Sequence, residues 1–480
     1  VAESTNTIQK SELHGEAVPS AANALSPHGE AASSGRKSRW QETVRALKHR
    51  NFQLFFSGQM ISLVGTWMQT VAQSWLVYKL TGSGLLLGSV GFASQIPVFL
   101  VAPIGGIVAD RSNRKHVVIA TQVASMILAF ALAALTLTHA IDTRIWLIYV
   151  LAAMLGVVNA FDIPGRQSFL VDMVGREDLM NAIALNSSMF NAARVIGPAV
   201  AGVLVARLGE GWCFFVNGIS YIAVIAGLLL MHVSSPPRVT GTSPLDSMKE
   251  GFRFVNDTAP IRALLLLLGV VSATGMPYVV LMPIFADKIL HEGGQELASL
   301  IHSHDLGAVR LGILMSAAGV GALLGALTLA ARSGVKGLSR WVATCCAGFG
   351  VSLMLFSFSR SFWLSVALLL PVGYFVMLQM AASNTLVQVM VPDALRGRVM
   401  SVYSMMFMGL APLGSLMGGA MADHVGAPWA VAIGGAASVL GAVWFGMQLP
   451  QIRGEARKLI LAQQMAGGEP AGGMTGGSEK

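Results

Sequence analysis

Charge is what this sequence has least of. Asp, Glu, Lys and Arg make up only 12% of its 480 residues, and 54% are hydrophobic. A soluble domain carries roughly 25% charge, so a water-soluble globular chain is excluded and a polytopic membrane protein is expected. Cysteine is also scarce. Cys213, Cys345 and Cys346 have no paired spacing, which excludes a disulfide framework and leaves small apolar residues in helices. No GxxxxGK[ST] sequence is present, so ATP-driven pumping has no support. No nucleophile–base pair or ligand cluster recurs at one membrane depth, so neither an enzyme nor a cofactor is expected. His291, His302, His304 and Asp305 gather in one loop, but without a companion of diagnostic spacing they imply no metal site.

Acids are fewer than bases, 24 against 32, which gives a net charge of +8. The excess is dispersed through short loops rather than gathered in a phosphate-tracking patch, so nucleic acid is not an expected partner. Residues 1–38 are polar, without an apolar h-region. They are expected to be a disordered cytoplasmic tail rather than a cleavable signal peptide. Residues 451–480 are expected to form a second cytoplasmic tail.

Long apolar runs are what the chain has in abundance. About 20 apolar residues cross a bilayer, and that rule predicts twelve helices: 52–78, 84–109, 116–138, 144–165, 179–207, 212–232, 261–287, 308–331, 339–358, 361–389, 396–423 and 428–449. The fifth and tenth carry many polar residues, so they are expected to face a protein interior or a water-filled cavity. With both termini cytoplasmic, 25 of the 32 Lys and Arg fall on the inner side and six on the outer, with Arg194 left inside a helix. This bias fixes the expected orientation in the membrane.

The organisation is an N-terminal half, 39–232, a cytoplasmic linker, 233–260, and a C-terminal half, 261–450. Within the linker, Leu245, Met248, Phe252 and Val255 recur at helical spacing. They predict a short amphipathic helix, lying on the membrane or packed on the bundle. The segments 174–212 and 391–429 repeat each other at a constant offset of 217, pairing Phe190 with Phe407, Gly197 with Gly414 and Gly202 with Gly419. Two similar six-helix halves follow, an arrangement that commonly places a substrate path between them.

The turn Gly106-Ile-Val-Ala-Asp110-Arg111-Ser-Asn-Arg114-Lys115 resembles the signature between the second and third helices of major facilitator superfamily transporters. Asn113 stands where that pattern has a second glycine, and Asn tolerates positive φ. Phe55-Phe56-Ser57-Gly58-Gln59, Trp67-Met68-Gln69-Thr70-Val71-Ala72, Arg166-Gln167 and Asn191-Ala-Ala-Arg194-Val-Ile-Gly197-Pro198 resemble the bacterial drug and siderophore exporter branch that includes enterobactin exporters. The resemblance covers about 50–450. It implies an all-α major facilitator fold of twelve transmembrane helices and a monomeric secondary transporter. The implied activity is export of a small amphiphilic compound by alternating access, with protons as counter-ion. Uptake or lipid movement by the same fold, or a non-transporting membrane sensor or scaffold, are the alternatives.

The resemblance further implies a latch at the cytoplasmic end, made of Gly106, Asp110, Arg111, Arg114, Lys115, Asp162 and Arg398. Asp110 would face the start of the eleventh helix, near Leu395 to Arg398, where a carboxylate meets the positive end of the helix dipole. Arg111 or Arg114 would pair with Asp162, closing the cytoplasmic side. Gly197, Pro198 and Gly202 resemble an antiporter gating motif. Cavity residues are expected from helices 1, 4, 7 and 10: Gln69, Gln73, Asn159, Tyr278, Tyr374 and Gln379, with Met405, Met406 and Met408 as an adaptable wall. Arg194 lies deep in the fifth helix and must face the interior. It either binds an anionic substrate or holds a polar cluster with Asn186, Ser187 and Asn191. No carboxylate is central, and Asp162 is the leading candidate for proton coupling.

Overall fold

The chain folds as an all-helical bundle in a computed structural model that describes residues 45–233, 244–290, 305–332 and 334–466. The first half comprises α1 (Arg50–Thr81), α2 (Gly84–Arg111), α3 (Arg114–Leu137), α4 (Trp146–Val174), α5 (Leu179–Leu208) and α6 (Glu210–Leu230). A linker helix, Pro244–Asp257, follows. The second half comprises α7 (Ala259–Ile289), α8 (Leu306–Ala330), α9 (Leu338–Phe358), α10 (Phe362–Met390), α11 (Asp393–Val425) and α12 (Ala427–Ala466). Eleven of the twelve are both long and apolar enough to cross a membrane. The exception is α1, which has the length, 32 residues, but is diluted by glutamines and hydroxyls. Three of these, Gln59, Ser62 and Gln69, are buried against neighbours. Leu100, Met180, Leu440 and Met447 stand exposed, apolar surface that a bilayer covers.

The two halves pack alike. In the first, α2 lies on α4, α3 on α6, and α1 on α5 and α6; in the second, α8 lies on α10, α9 on α12, and α7 on α11 and α12. The halves meet through α2 with α11 and α5 with α8. Small residues bring these backbones together, as van der Waals packing in lipid requires. A Cβ on Gly88 would stand 2.3 Å from the Ser415 carbonyl oxygen, and one on Gly373 only 1.9 Å from that of Ala318. Gly373→Val is therefore expected to force α8 and α10 apart and lower stability by about 3 kcal/mol. A Cβ on Gly106 meets nothing within 4 Å, so Gly106→Ala is expected to be neutral. Apparent melting midpoints of the two variants in detergent check the contrast.

Several boundaries differ from the sequence expectations. Helix α4 runs through Pro164 and Gly165 to Val174, nine residues past the predicted end, and brings Asp172 into the bundle. Helix α12 continues through Pro450 to Ala466, so the first part of the expected C-terminal tail is helical. Its Ile452 and Ile460 are buried, with Ala456 and Leu459 packed beside them. The linker helix packs on α11: a Cβ on Gly251 would stand 2.7 Å from the Arg398 carbonyl oxygen, and Val255 is buried. Asn113 does not use positive φ. It is extended (φ −67°, ψ 110°) and caps α3 by accepting from the His116 N–H at 3.4 Å, as an N-cap asparagine does. Positive φ appears instead at Gly82 (64°), which ends α1 and lets α2 turn back at once.

Helix α7 departs from regular geometry at two π-helical stretches, Val271–Gly275 and Phe285–Ile289. Such stretches frequently accompany functional sites. The first lies directly before the residues that line the central cavity, and the second holds Asp287.

Candidate functional site: a cavity between the halves

The molecule has a basic end, where the turns around Arg111, Arg114, Arg176, Lys336 and Arg396 lie, and a far end opposite. A dense set of polar contacts joins the halves at the far end. The Tyr78 hydroxyl of α1 donates to Asp287 at 3.0 Å, and Trp75 Nε1 donates to Asp305 at 3.1 Å. Lys79 lies 3.4 Å from Glu210 of its own half and 3.6 Å from Asp305 of the other. Asp423, near the C-terminus of α11, accepts from the Gly84 N–H at 2.6 Å, the Leu85 N–H at 3.0 Å and the Ser83 hydroxyl at 2.6 Å. These amides are unpaired donors at the start of α2, so the carboxylate also meets the positive end of that helix dipole.

At the basic end, Arg114, Lys115 and Asp162 of the expected latch bind within the first half. Arg114 is buried and directs Nη1 at both oxygens of Asp172 on α4, at 2.8 and 3.1 Å. Lys115 Nζ donates to the Met231 carbonyl at 2.7 Å, at the end of α6. Asp162 accepts from Thr121 and Gln122 of α3, each at 2.8 Å, and pairs with Arg166 one turn along its own helix at 2.9 Å. The expected pairing of Arg111 or Arg114 with Asp162 is thus corrected: Arg166, at i+4 on the same helix, already faces that carboxylate, and Arg114 is taken by Asp172. Arg111 is exposed, and Arg398 pairs with Glu250 of the linker helix. The side chain of Asp110 lies outside what the structure describes, as do His291, His302 and His304. Asp305 is occupied, capping α8 through the Ala308 N–H at 3.2 Å besides its contacts to α1.

A cavity of about 240 Å³ lies between the halves, lined by Trp67 of α1, Gln95 of α2, Arg194 and Pro198 of α5, Met276, Tyr278, Val279, Val280 and Met282 of α7, Met315 and Ala318 of α8, and Phe407, Met408, Ala411 and Ser415 of α11. Of the expected cavity residues, Arg194 and Tyr278 are in this lining, and Met408 of the expected methionine wall joins them. Gln69 is buried elsewhere, accepting from Asn217 of α6 at 2.7 Å. Gln379 is buried beside Ser383, Tyr374 packs edge-on against Phe375, and Gln73, Asn159 and Asn186 are half-buried outside the lining. Helices 4 and 10 contribute nothing to the wall; α2, α5, α8 and α11 do. Trp67, Gln95, Met315 and Phe407 are lining residues that sequence reasoning did not single out.

Arg194 does not join the expected polar cluster. Asn191 donates to the Ser187 backbone carbonyl one turn back on its own helix, at 2.9 Å. Arg194 instead lies over the Trp67 ring, 5.8 Å from its centroid, a cation–π distance. Nearby, Gly197 presses on Trp67, while Pro198 and Gly202 pack on Gly312 of α8. Of the expected gating residues, Pro198 and Gly202 therefore sit where the halves touch, and Gly197 packs within its own half.

Comparison with known proteins agrees with this architecture. The staphyloferrin A transporter of Staphylococcus aureus is 26% identical over 78% of this chain and 89% of its own length. The multidrug efflux pump Tap of Mycolicibacterium fortuitum is 27% identical over 75% and 87%, and the enterobactin exporter EntS of Citrobacter koseri 25% identical over 90% and 99%. Among solved structures, the nucleoside transporter NupG superposes with a TM-score of 0.64 at 17% identity, covering 84% of this chain and 99% of that one; at that identity it speaks for the fold alone. A profile of transmembrane secretion effectors matches residues 42–468. Twelve helices in two like halves, a cavity between them and that match lead to one assignment: the chain is a multi-pass membrane transporter, not an enzyme, and belongs to the transmembrane secretion effector family of the major facilitator superfamily.

Proposed function

We propose that the protein exports a small amphiphilic compound, of the drug or siderophore class, by alternating access in exchange for protons. In this reading the basic end and both termini face the cytoplasm of a bacterium, and the monomer is the working unit. The observation that carries it is the wall of the central cavity, where aromatic rings, methionines and one guanidinium surround space between two separable halves. Methionine adapts to irregular apolar shapes, which suits amphiphiles better than sugars. The direction is supported by the efflux and export named for the Mycolicibacterium and Citrobacter relatives.

Uptake through the same cavity is a second reading, favoured by the far-end seal of Tyr78, Lys79, Asp287, Asp305 and Asp423. Among the described residues these polar contacts join the halves at one end, and a transporter sealed at that end rests facing inward. The two readings separate in one experiment. Inverted and right-side-out vesicles, each with an imposed pH gradient, are offered dyes, antibiotics and siderophores. Export in exchange for protons requires acid-driven accumulation in inverted vesicles. Accumulation only in right-side-out vesicles would replace export by uptake. No movement beside an active control exporter would sink both.

A further inference from the structure

Every described carboxylate within the helices near the cavity or its far-end seal is taken, and Arg194 is not. Asp162 has Arg166, Thr121 and Gln122; Asp287 has Tyr78; Asp423 has the start of α2; Glu210 has Lys79. Among the described residues Arg194 has no ion pair and no hydrogen bond, only the face of Trp67. It sits 15 residues from the start of the 30-residue α5, about 22 Å along the axis at 1.5 Å per residue. A guanidinium at that depth cannot snorkel out to a headgroup region. The central cavity thus carries one uncompensated positive charge on a wall that is otherwise uncharged, with Gln95 and Ser415 as polar members among aromatic rings and methionines.

We propose that this charge makes the cavity selective for amphiphiles bearing an acidic head, a carboxylate or a sulfonate. Arg194 grips the head, and Trp67, Tyr278, Phe407 and Met408 hold the apolar body. The proposal rests on reading the cavity as the substrate site. A guanidinium suits this task better than an ammonium, because its planar fork can give two parallel N–H donors to one anion while its face stacks on an aromatic ring. A cationic ligand would meet like charge in a poorly hydrated space. A neutral one would cover Arg194 without pairing it, leaving a desolvated charge. An anion does neither. Pro198, one turn from Arg194 on the same helix, carries the carbonyl against Gly312 of α8. The ligand-binding charge and the contact between the halves therefore share one rigid segment.

The test uses two dyes that differ by the acidic head alone, 1-anilinonaphthalene-8-sulfonate and its neutral parent N-phenyl-1-naphthylamine. Binding to the intact protein in lipid nanodiscs is followed by dye fluorescence against empty discs, with no gradient present. Arg194→Gln is expected to weaken the sulfonate about tenfold or more, the loss of a charge-assisted pair of hydrogen bonds, and to leave the neutral dye within about twofold. Arg194→Lys keeps the charge without the fork and should fall between; it decides the matter should the glutamine variant not fold. Trp67→Leu should weaken both dyes. Equal effects of Arg194→Gln on both dyes, or no effect on either, would overturn the proposal. Because no gradient is used, intact sulfonate selectivity without vesicle transport would refute export and leave the anion site standing. Transport with no sulfonate selectivity would do the reverse.

Discussion

Asp423→Ala is expected to open the far end of the molecule. The carboxylate carries three hydrogen bonds across the boundary between halves, to the Gly84 and Leu85 amides and the Ser83 hydroxyl. Bonds to a charged acceptor contribute about 1.5–3 kcal/mol each when shielded from water. Asp423 is exposed, so solvent replaces much of that, and about 1–2 kcal/mol for the set is a reasonable figure. That shifts the balance between far-end-closed and far-end-open forms by roughly 5- to 30-fold. Asn retains one acceptor oxygen without the charge and should shift it less. The readout is a cysteine at Val280, a cavity-lining position, in a background where buried Cys213, Cys345 and Cys346 are replaced. Impermeant maleimide is applied to each membrane face in turn. Labelling from the far face should rise in the order wild type, Asn, Ala. Rates unchanged from both faces would show that Asp423 merely caps α2.

This clasp is the reciprocal of the one that the turn at Gly106–Lys115 suggests. There, a carboxylate at the end of α2 would meet the start of α11; here, a carboxylate at the end of α11 meets the start of α2. The sequence points to the first because a family signature marks it, whereas Asp423 has no local marker. Its significance depends on which helix starts beside it, and that is tertiary information. The same divide runs through the rest of the molecule. Helix count, the twofold repeat and the interior placement of Arg194 are legible because hydropathy, a constant offset and the cost of a buried charge are local signals. The lining of the cavity is not, since a helix that is apolar all round does not tell which face turns inward. Gln69 and Gln379, polar and deep, pack against α6 and Ser383, while Trp67 and Phe407 face the space. Asp162 was assignable from spacing alone, as Arg166 follows at i+4. Asp172 lies beyond the predicted span 144–165, whereas α4 continues through Pro164 and Gly165 to Val174.

Arg114→Met is expected to be among the most destabilising single changes in the first half. Arg114 sits in the first turn of α3, where the helix dipole disfavours a cation, and its side chain is only 2% exposed. Both features are tolerable because Asp172, 9% exposed, faces it with two oxygens. Removing one member of such a pair leaves the other buried and uncompensated, which costs about 3–5 kcal/mol. Asp172→Asn should cost a similar amount for the same reason, now with the guanidinium stranded. Arg114→Lys should recover only part, since the lysine side chain is one atom shorter and its ammonium stops short of the position that Nη1 holds. The double change Arg114→Met with Asp172→Leu should regain most of the loss, because two apolar side chains in this position need no partner. Apparent melting midpoints of the four variants give the order. If the double variant were no more stable than the worse single one, the pair would have a role beyond mutual neutralisation. If Arg114→Met matched wild type, the burial of this ion pair would have no bearing on stability. The pair ties α3 to α4 directly beside the signature turn. It therefore sets the rigidity of the platform from which any latch between the halves, Asp110 included, would have to act.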